Sequence, residues 1–232
     1  MIKLAVFDLD GTLAPHGGAI PFSVADKLRT LQKSGVLFAV CSGKPVYYLS
    51  ALLRQACLSP DALVGENGAV IQIGSLLPPE KQISLRVPEK SKELLFALRR
   101  EISDMYGDMV WYQPNEIVLT VFPKDASLFP PLRSLIEKRI APDSGINVFK
   151  HLDCFDLVPG ALDKGAGLRA LAEFFGIDRK NICSVGDESN DFPMFAASGV
   201  SLGINLSADK ADFIFPSCGM ALDWIIGKTA EQ

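Results

Sequence analysis

Two aspartates stand two residues apart where an apolar run gives way to a glycine-containing turn. The run IKLAVF is followed by Asp8 and Asp10, with Gly11 next. Side chains at positions i and i+2 of an extended segment point the same way, so both carboxylates can face one site. Paired carboxylates repel each other unless a cation or a proton lies between them. Mg²⁺, a hard ion that takes oxygen ligands, would relieve this repulsion, and two solvated aspartates in an Asx turn are the alternative.

A second acidic cluster follows the apolar segment NICSV. The hexapeptide GDESND contains Asp187, Glu188 and Asp191. Asp187 is nearest the end of the predicted strand and is therefore best placed to share a cation with Asp8. Asp191 can ligate the same ion or hold its waters, and Asn190 is expected beside them. A loop whose acidic residues cap a helix would have the same composition.

Two further motifs suit the binding of a phosphate group. In CSGK, Ser42 offers a small hydroxyl and Gly43 an unhindered N–H, and Lys44 follows. In DKGAGL, Lys164 stands at the start of a predicted helix, where a positive charge is unfavourable for the helix dipole. Its ammonium could instead neutralise a phosphoryl group together with the helix N-terminus. An ordinary turn and an ordinary exposed lysine are the alternatives.

The four motifs DLDGT, SG, DK and GDESND occur in this order along the whole chain. In order and spacing they resemble the haloacid dehalogenase superfamily of phosphohydrolases, in particular its Cof-like, type IIB branch. The resemblance implies a Rossmann-like core, an α+β cap inserted between the second and third motifs, and Mg²⁺-dependent phosphoryl transfer.

The same resemblance implies a role for each motif residue. Asp8 would be the nucleophile that forms an aspartyl phosphate, and Asp10 would give its backbone carbonyl to Mg²⁺ and act as general acid and then base. Ser42 and Lys164 complete the catalytic set. The implied metal ligands are Asp8, Asp10, Asp187 and Asp191, and the implied substrate contacts are Thr12, Ser42, Gly43, Lys44, Lys164 and Asn190.

Around these motifs the chain alternates between predicted strands and helices. A buried strand over residues 2–8 precedes a helix that runs from Ser23, as N-cap, to Gly35, and a second buried strand over 36–41 precedes a helix that begins near Pro45. Residues 62–73 form a strand, a turn and a strand. This alternation predicts an α/β fold, a doubly wound parallel sheet whose strand ends carry the motifs.

The pattern changes over residues 81–157 and returns near Lys164. The segment QISLRV, a helix from Glu89 to Tyr106, the strands MVWYQ and EIVLTVF, a helix near 130–140 and two short strands near 146–158 predict an α+β insert. The predicted domains are therefore a discontinuous core, residues 1–80 and 158–232, and a cap, residues 81–157. Trp111, Tyr112 and Asn115 of the insert could face substrate or serve packing alone.

The turn GENG at residues 65–68 resembles a stretch in short phosphoglycolate and sucrose-phosphate phosphatases. Asn67 would then lie near the cleft, and a two-residue hairpin turn is the alternative. His16 is expected at the mouth of the site and His151 in the cap sheet, without an assigned role for either residue.

Composition excludes several other classes of protein. The formal charge is −4, and the basic residues are scattered, which argues against a nucleic-acid partner. Five cysteines without a CxxC pair suggest neither a disulfide framework nor a zinc site. The first apolar run is too short for a signal peptide, and no segment is long enough to cross a membrane. We therefore expect a cytoplasmic protein, monomeric or homodimeric, that acts on a small phosphorylated metabolite.

Two other functions share this chemistry. A sugar-phosphate mutase of the phosphomannomutase type would need a basic cap able to hold a bisphosphate, but the charges of the insert nearly balance. A regulatory phospho-acceptor would use the same pocket without hydrolysis, and it would be expected to lack Asp10. A dehydrogenase and a P-loop NTPase are disfavoured because GxGxxG and GxxxxGK[ST] are absent.

Overall fold

The computed structural model describes residues 1–230 and divides the chain into two compact units. The first unit contains residues Met1–Leu85 together with residues from Asp163 onward, and the second is the insert Arg86–Leu162. The predicted α/β fold is confirmed. No helix within residues 1–230 is both long and apolar enough to cross a membrane.

The first unit is built on an eight-stranded sheet flanked by five helices. Its strands are β1 (Leu4–Phe7), β2 (Leu37–Cys41), β3 (Ala62–Gly65), β4 (Val70–Ile73), β5 (Lys81–Ser84), β10 (Ile182–Gly186), β11 (Val200–Ile204) and β12 (Phe213–Phe215). Its helices are α1 (Phe22–Lys33), α2 (Val46–Gln55), α5 (Lys164–Phe175), α6 (Phe192–Ala197) and α7 (Cys218–Ala230).

The strand order is β12-β11-β10-β1-β2-β3-β4-β5, and all pairs from β12 to β3 are parallel. The chain leaves β1 toward β2 on one side and later places β10 on the other side of β1. The carboxyl ends of β1 and β10 therefore meet where the strand order reverses, which is where open α/β sheets bind ligands.

Alternating strand residues cover both faces of this sheet. On one face Leu4, Val6, Cys41 and Val64 join side chains of α5 and α6 in a buried cluster, to which α1, α2 and α7 contribute no residue. Strands β1, β2 and β3 are apolar on both faces, as in other parallel sheets covered by helices, and this composition explains the continuous apolar runs in the sequence.

The insert has its own core. Its elements are α3 (Glu89–Tyr106), β6 (Val110–Tyr112), β7 (Leu119–Pro123), α4 (Phe129–Arg139), β8 (Ile146–Lys150) and β9 (Phe155–Pro159). The strands form an antiparallel sheet in the order β6-β7-β9-β8, and α3 and α4 cover one face through Leu98, Ile102, Leu132 and Ile136.

Three details of the sequence prediction were wrong. The insert covers residues 86–162 instead of the predicted 81–157. Its start is later because β5 pairs antiparallel with β4 in the large sheet, and its end is later because β9 belongs entirely to the insert. Ser23 does not cap α1, because Pro21 is the N-cap and its carbonyl accepts the N–H groups of Val24 and Ala25. The turn after β3 is not a two-residue hairpin but a short 3₁₀ segment, Glu66–Gly68.

Candidate functional site

The center of the site is a buried lysine between two aspartates. Lys164 Nζ donates to Asp8 Oδ1 and to Asp191 Oδ1, each at 2.6 Å. Asp8 follows β1, Asp191 lies in the short helical turn after β10, and Lys164 is the first residue of α5. The three side chains are 1–8% exposed, so the charges attract each other in a medium from which water is largely excluded.

The charges of this cluster are set by burial and by the neighbouring groups. Burial alone would lower the pKa of Lys164, but Asp191 and Asp8 outweigh it and raise that pKa above its ordinary value. Lys164 therefore stays charged. Burial raises the pKa of Asp8 well above its ordinary value, although Lys164 opposes the shift. A second cation would stabilise the ionised form of Asp8.

Asp191 also fixes the loop that carries Asp187. Its Oδ2 accepts the backbone N–H groups of Asp187 at 2.9 Å and of Glu188 at 3.1 Å. Gly186 allows this approach, because a Cβ atom there would lie 2.4 Å from Asp191 Oδ2. Asp191 therefore binds Lys164 through one oxygen and orders the loop backbone through the other.

Asp187 is positioned by the turn that follows the neighbouring strand, β1. Thr12 Oγ1 donates to Asp187 Oδ1 at 2.7 Å. Gly11 has φ +90°, and a Cβ atom on it would lie 2.0 Å from Asp187 Oδ2. Thr12 was predicted to contact phosphate, but in the structure its hydroxyl donates to Asp187, a contact between residues 175 positions apart that no local pattern reveals.

The carboxylates of Asp8, Asp187 and Asp191 can together hold a metal ion. One oxygen from each lies within 4.8 Å of the others. With all three carboxylates ionised, the cluster and the one ammonium carry two negative charges, the charge that one divalent cation balances. The donor set is all oxygen, which suits Mg²⁺. The Asn190 side-chain oxygen is buried and has no hydrogen-bond partner within the described chain, so an ion's water or a ligand could complete its bonding.

The side chain of Asp10 does not join this group of carboxylates. Asp10 is partly exposed and pairs as an isolated bridge with Ala14, and its Oδ1 accepts the N–H of Gly17 at 3.3 Å. The turn from Asp10 to Gly17 therefore holds the Asp10 carboxyl near the end of β1, outside the group of carboxylates formed by Asp8, Asp187 and Asp191.

The segment after β2 forms the adjoining wall. Ser42 is buried, and its Oγ accepts the backbone N–H of Lys44 at 3.2 Å. Gly43 and Lys44 are partly exposed. The Asn67 N–H donates to the Ser42 carbonyl at 3.1 Å, so the turn after β3 fixes the segment after β2.

Sequence reasoning missed one acidic residue near this wall. Glu66 is 1% exposed, adopts φ +54°, and donates its N–H to the Lys44 carbonyl at 3.1 Å. The available signal was its position at the carboxyl end of β3, the place where the other motifs also stand.

Within the insert, the residues suggested for substrate contact have distinct surroundings. Trp111 is half exposed and packs on Phe122, and the Tyr112 hydroxyl donates to the Arg99 carbonyl at 3.2 Å. Asn115 Nδ2 donates to Thr120 Oγ1 at 2.9 Å. His151 Nε2 lies 3.3 Å from Asp156 Oδ2.

The sequence matches a known protein family and resembles known proteins over most of its length. A sequence model described as haloacid dehalogenase-like hydrolase matches residues 5–127 and 113–212. A phosphoglycolate phosphatase of Methanopyrus kandleri is 27% identical over 87% of this chain and 84% of its own length.

Solved structures show the same fold. A Thermoplasma acidophilum protein superposes with a TM-score of 0.76 and 21% identity over 100% of both chains. A structure described as a sugar phosphatase of haloacid dehalogenase subclass IIB has a TM-score of 0.70 and 17% identity, over 96% of this chain and 98% of its own.

Proposed function

Because the chain belongs to the haloacid dehalogenase-like hydrolase family, we propose that it is a Mg²⁺-dependent phosphatase of a small phosphorylated metabolite. The observation that carries the proposal is the buried Lys164, held at 2.6 Å from both Asp8 and Asp191 at the point where the strand order reverses. An ammonium in this position can neutralise a phosphoryl group while Asp8 reacts with it.

Asp8 is the proposed nucleophile. Lys164 binds Oδ1, so Oδ2 is the oxygen that would attack phosphorus while the bond from phosphorus to the ester oxygen breaks. Asp10 would protonate the departing oxygen. In the second half-reaction Asp10 would take a proton from water, whose oxygen attacks the aspartyl phosphate and releases inorganic phosphate with Asp8 restored.

Asp8, Asp187 and Asp191, with the Asp10 carbonyl implied by the family resemblance, would hold Mg²⁺. When bound, this ion would cancel the repulsion between the anionic nucleophile and the anionic phosphate. The Ser42 hydroxyl, the Gly43 and Lys44 segment and Asn190 are proposed to contact the phosphate oxygens. Thr12 is assigned a different role, the positioning of Asp187.

The substrate belongs to the same proposal. Relatives that cover most of the chain are named phosphoglycolate phosphatase, so phosphoglycolate is the first metabolite to test, followed by sugar phosphates. The insert is proposed to be the cap implied by the family resemblance, and to select among these substrates.

Hydrolysis of p-nitrophenyl phosphate tests the proposal. We expect phosphate release with Mg²⁺, none with EDTA, and background rates for Asp8→Asn. Asp178→Asn is the matched control, because Asp178 is an exposed aspartate of the same unit, and it should keep the parent rate.

Full activity in Asp8→Asn would contradict the assignment of the nucleophile. No turnover in the parent, together with a stable Mg²⁺-dependent aspartyl phosphate detected by mass spectrometry, would favour a mutase or a regulatory phospho-acceptor over a phosphatase.

A further inference from the structure

A second set of side chains that could hold a metal ion is formed by Asp187 with His16 and Glu188, both of which are exposed. His16 Nε2 is 3.9 Å from Asp187 Oδ2 and 3.8 Å from Glu188 Oε1, and one ligand atom from each residue lies within 4.8 Å of the others. We propose that His16, Asp187 and Glu188 form a second divalent-cation site, one that prefers an ion such as Zn²⁺ over Mg²⁺.

Two of the three groups are held in place. Asp187 is fixed by the Thr12 hydroxyl on Oδ1, which leaves Oδ2 as the oxygen nearest His16. The backbone N–H groups of Asp187 and Glu188 both bind Asp191 Oδ2, so the two acidic side chains leave an ordered backbone. His16 approaches from the turn after β1, where the Gly17 N–H contacts Asp10.

The distances from His16 to the two carboxylates would suit a small tetrahedral ion if the side chains moved slightly closer together. Zn–N and Zn–O bonds of about 2.0–2.1 Å place neighbouring ligand atoms roughly 3.3–3.5 Å apart. The observed 3.8 and 3.9 Å exceed this by about half an ångström. His16 is 66% exposed and can rotate to close the gap, whereas Glu188, 49% exposed, is held by a capping box in which its side chain accepts the backbone N–H of Asp191.

The donor set determines which ion is preferred. Imidazole nitrogen with two carboxylates suits Zn²⁺ and other late first-row metals. Mg²⁺ prefers oxygen ligands, and the inner group of Asp8, Asp187 and Asp191 offers only oxygen, whereas the outer group includes an imidazole nitrogen. The rival explanation is an exposed ion pair of protonated His16 with two acids, which would contribute little to stability.

A shared ligand couples the two sites. Asp187 belongs to both groups, so an ion bound by His16 would compete for the same carboxylate and weaken the binding of Mg²⁺ at the inner site. Inhibition of phosphatase activity by Zn²⁺ is the consequence, and this part alone rests on the proposed function.

The test titrates the full chain with Zn²⁺ in excess Mg²⁺, with a chromophoric chelator as competitor. We expect one Zn²⁺ per chain in the parent and an affinity at least ~10-fold weaker in His16→Gln and in Glu188→Gln. His151→Gln is the matched control, because the chain contains two histidines, and it should bind as the parent does. Cys57→Ser controls for the exposed thiol and should also leave binding unchanged.

Equal Zn²⁺ affinity in the parent and His16→Gln would overturn the proposal, as would loss of binding in His151→Gln or Cys57→Ser. Retained near-ultraviolet circular dichroism in His16→Gln would show that the variant is folded. The titration needs no substrate, so its result is independent of whether the chain hydrolyses phosphate.

Discussion

Lys164 occupies a place that helix stability alone would not select. It is the first residue of α5, where the helix dipole disfavours a positive charge, and its N-cap Asp163 accepts the Ala166 N–H at 2.6 Å. Asp8 and Asp191 compensate for that cost by binding the ammonium directly. The lysine is therefore held in place by the same two carboxylates that it is proposed to serve in catalysis.

Replacing Lys164 should destabilise the chain strongly. Lys164→Met leaves Asp8 and Asp191 buried without their cation, and loss of one partner of a buried ion pair costs about 3–5 kcal/mol. Urea unfolding monitored by circular dichroism would measure the change. Lys92→Met is the control, because Lys92 is exposed and its contact with Glu89 is an exposed ion pair, for which we expect a loss below about 1 kcal/mol. Equal losses in the two variants would contradict this account of Lys164.

Gly11 is constrained by its positive φ and by the close approach of Asp187, and two variants can separate these effects. Gly11→Ala introduces a Cβ atom 2.0 Å from Asp187 Oδ2 at a residue with φ +90°, whereas Gly35→Ala introduces one at φ +83° with no atom within 4 Å. Both variants should lose about 1 kcal/mol of unfolding free energy from backbone strain. Only Gly11→Ala should also lose Mg²⁺ affinity, by at least about tenfold, in isothermal titration calorimetry. A similar loss of Mg²⁺ binding in Gly35→Ala would show that strain, not the displacement of Asp187, is responsible.

The sequence anticipated which residues meet, but not how each one bonds. Because parallel strands end at the same edge of a sheet, the motifs after β1 and β10 could be predicted to bring Asp8, Asp187 and Asp191 together. The hydrogen bond from Thr12 to Asp187 and the buried position of Glu66 could not be predicted. The hydrogen bond joins residues 175 positions apart in the sequence, and Glu66 adopts a left-handed backbone that glutamate rarely takes.

The secondary-structure elements with a regular spacing of apolar residues could be predicted from the sequence. The bounds of α3 agree with the sequence prediction, because a regular apolar spacing determines them. Strand β5 was assigned to the wrong unit, because it is an edge strand with mostly exposed side chains, and its pattern carries no information about which sheet it joins. Ser23 was a plausible N-cap, but Pro21 starts the helix two residues earlier.

The packing of α5 on the turn after β3 depends on glycine. A Cβ atom on Gly167 would lie 2.6 Å from Gly68 Cα and from Val64 Cγ1. Gly167→Ala should therefore push α5 away from the sheet, lower the free energy of unfolding by about 1–3 kcal/mol, and reduce activity through a displaced Lys164.

Gly227→Ala provides the control with the opposite sign. Gly227 lies within α7 and a Cβ atom there would meet no atom within 4 Å, so alanine should stabilise the chain by about 0.5–1 kcal/mol. Thermal unfolding and the rate of p-nitrophenyl phosphate hydrolysis distinguish the two variants. Stabilisation by Gly167→Ala would contradict the close approach of α5 to the turn.

For the whole molecule, the division into two units predicts independent folding of the insert. Residues 86–162 contain a sheet, two covering helices and a buried core that includes Leu132, Val121 and Leu157. We expect the isolated segment to unfold cooperatively in urea and to give dispersed amide resonances by NMR.

A core substitution provides the control for this experiment. Leu132 is completely buried, so Leu132→Ala should lower the stability of the isolated segment by about 2–5 kcal/mol and can abolish the transition. A gradual change without a transition in the parent segment would show that the insert depends on the rest of the chain.

The position of β1 between β2 and β10 has a consequence for synthesis on the ribosome. Asp8 is translated before the insert, whereas Lys164, β10 and Asp191 follow the insert in that order, so β1 gains its second neighbour only after the entire insert. At roughly 5–20 residues per second, β1 waits about ten to forty seconds for that neighbour. During this interval one edge of the strand remains unpaired and open to wrong partners. The nascent chain is therefore most vulnerable to aggregation before β10 is translated, and a chaperone that protects it would need to act in that window.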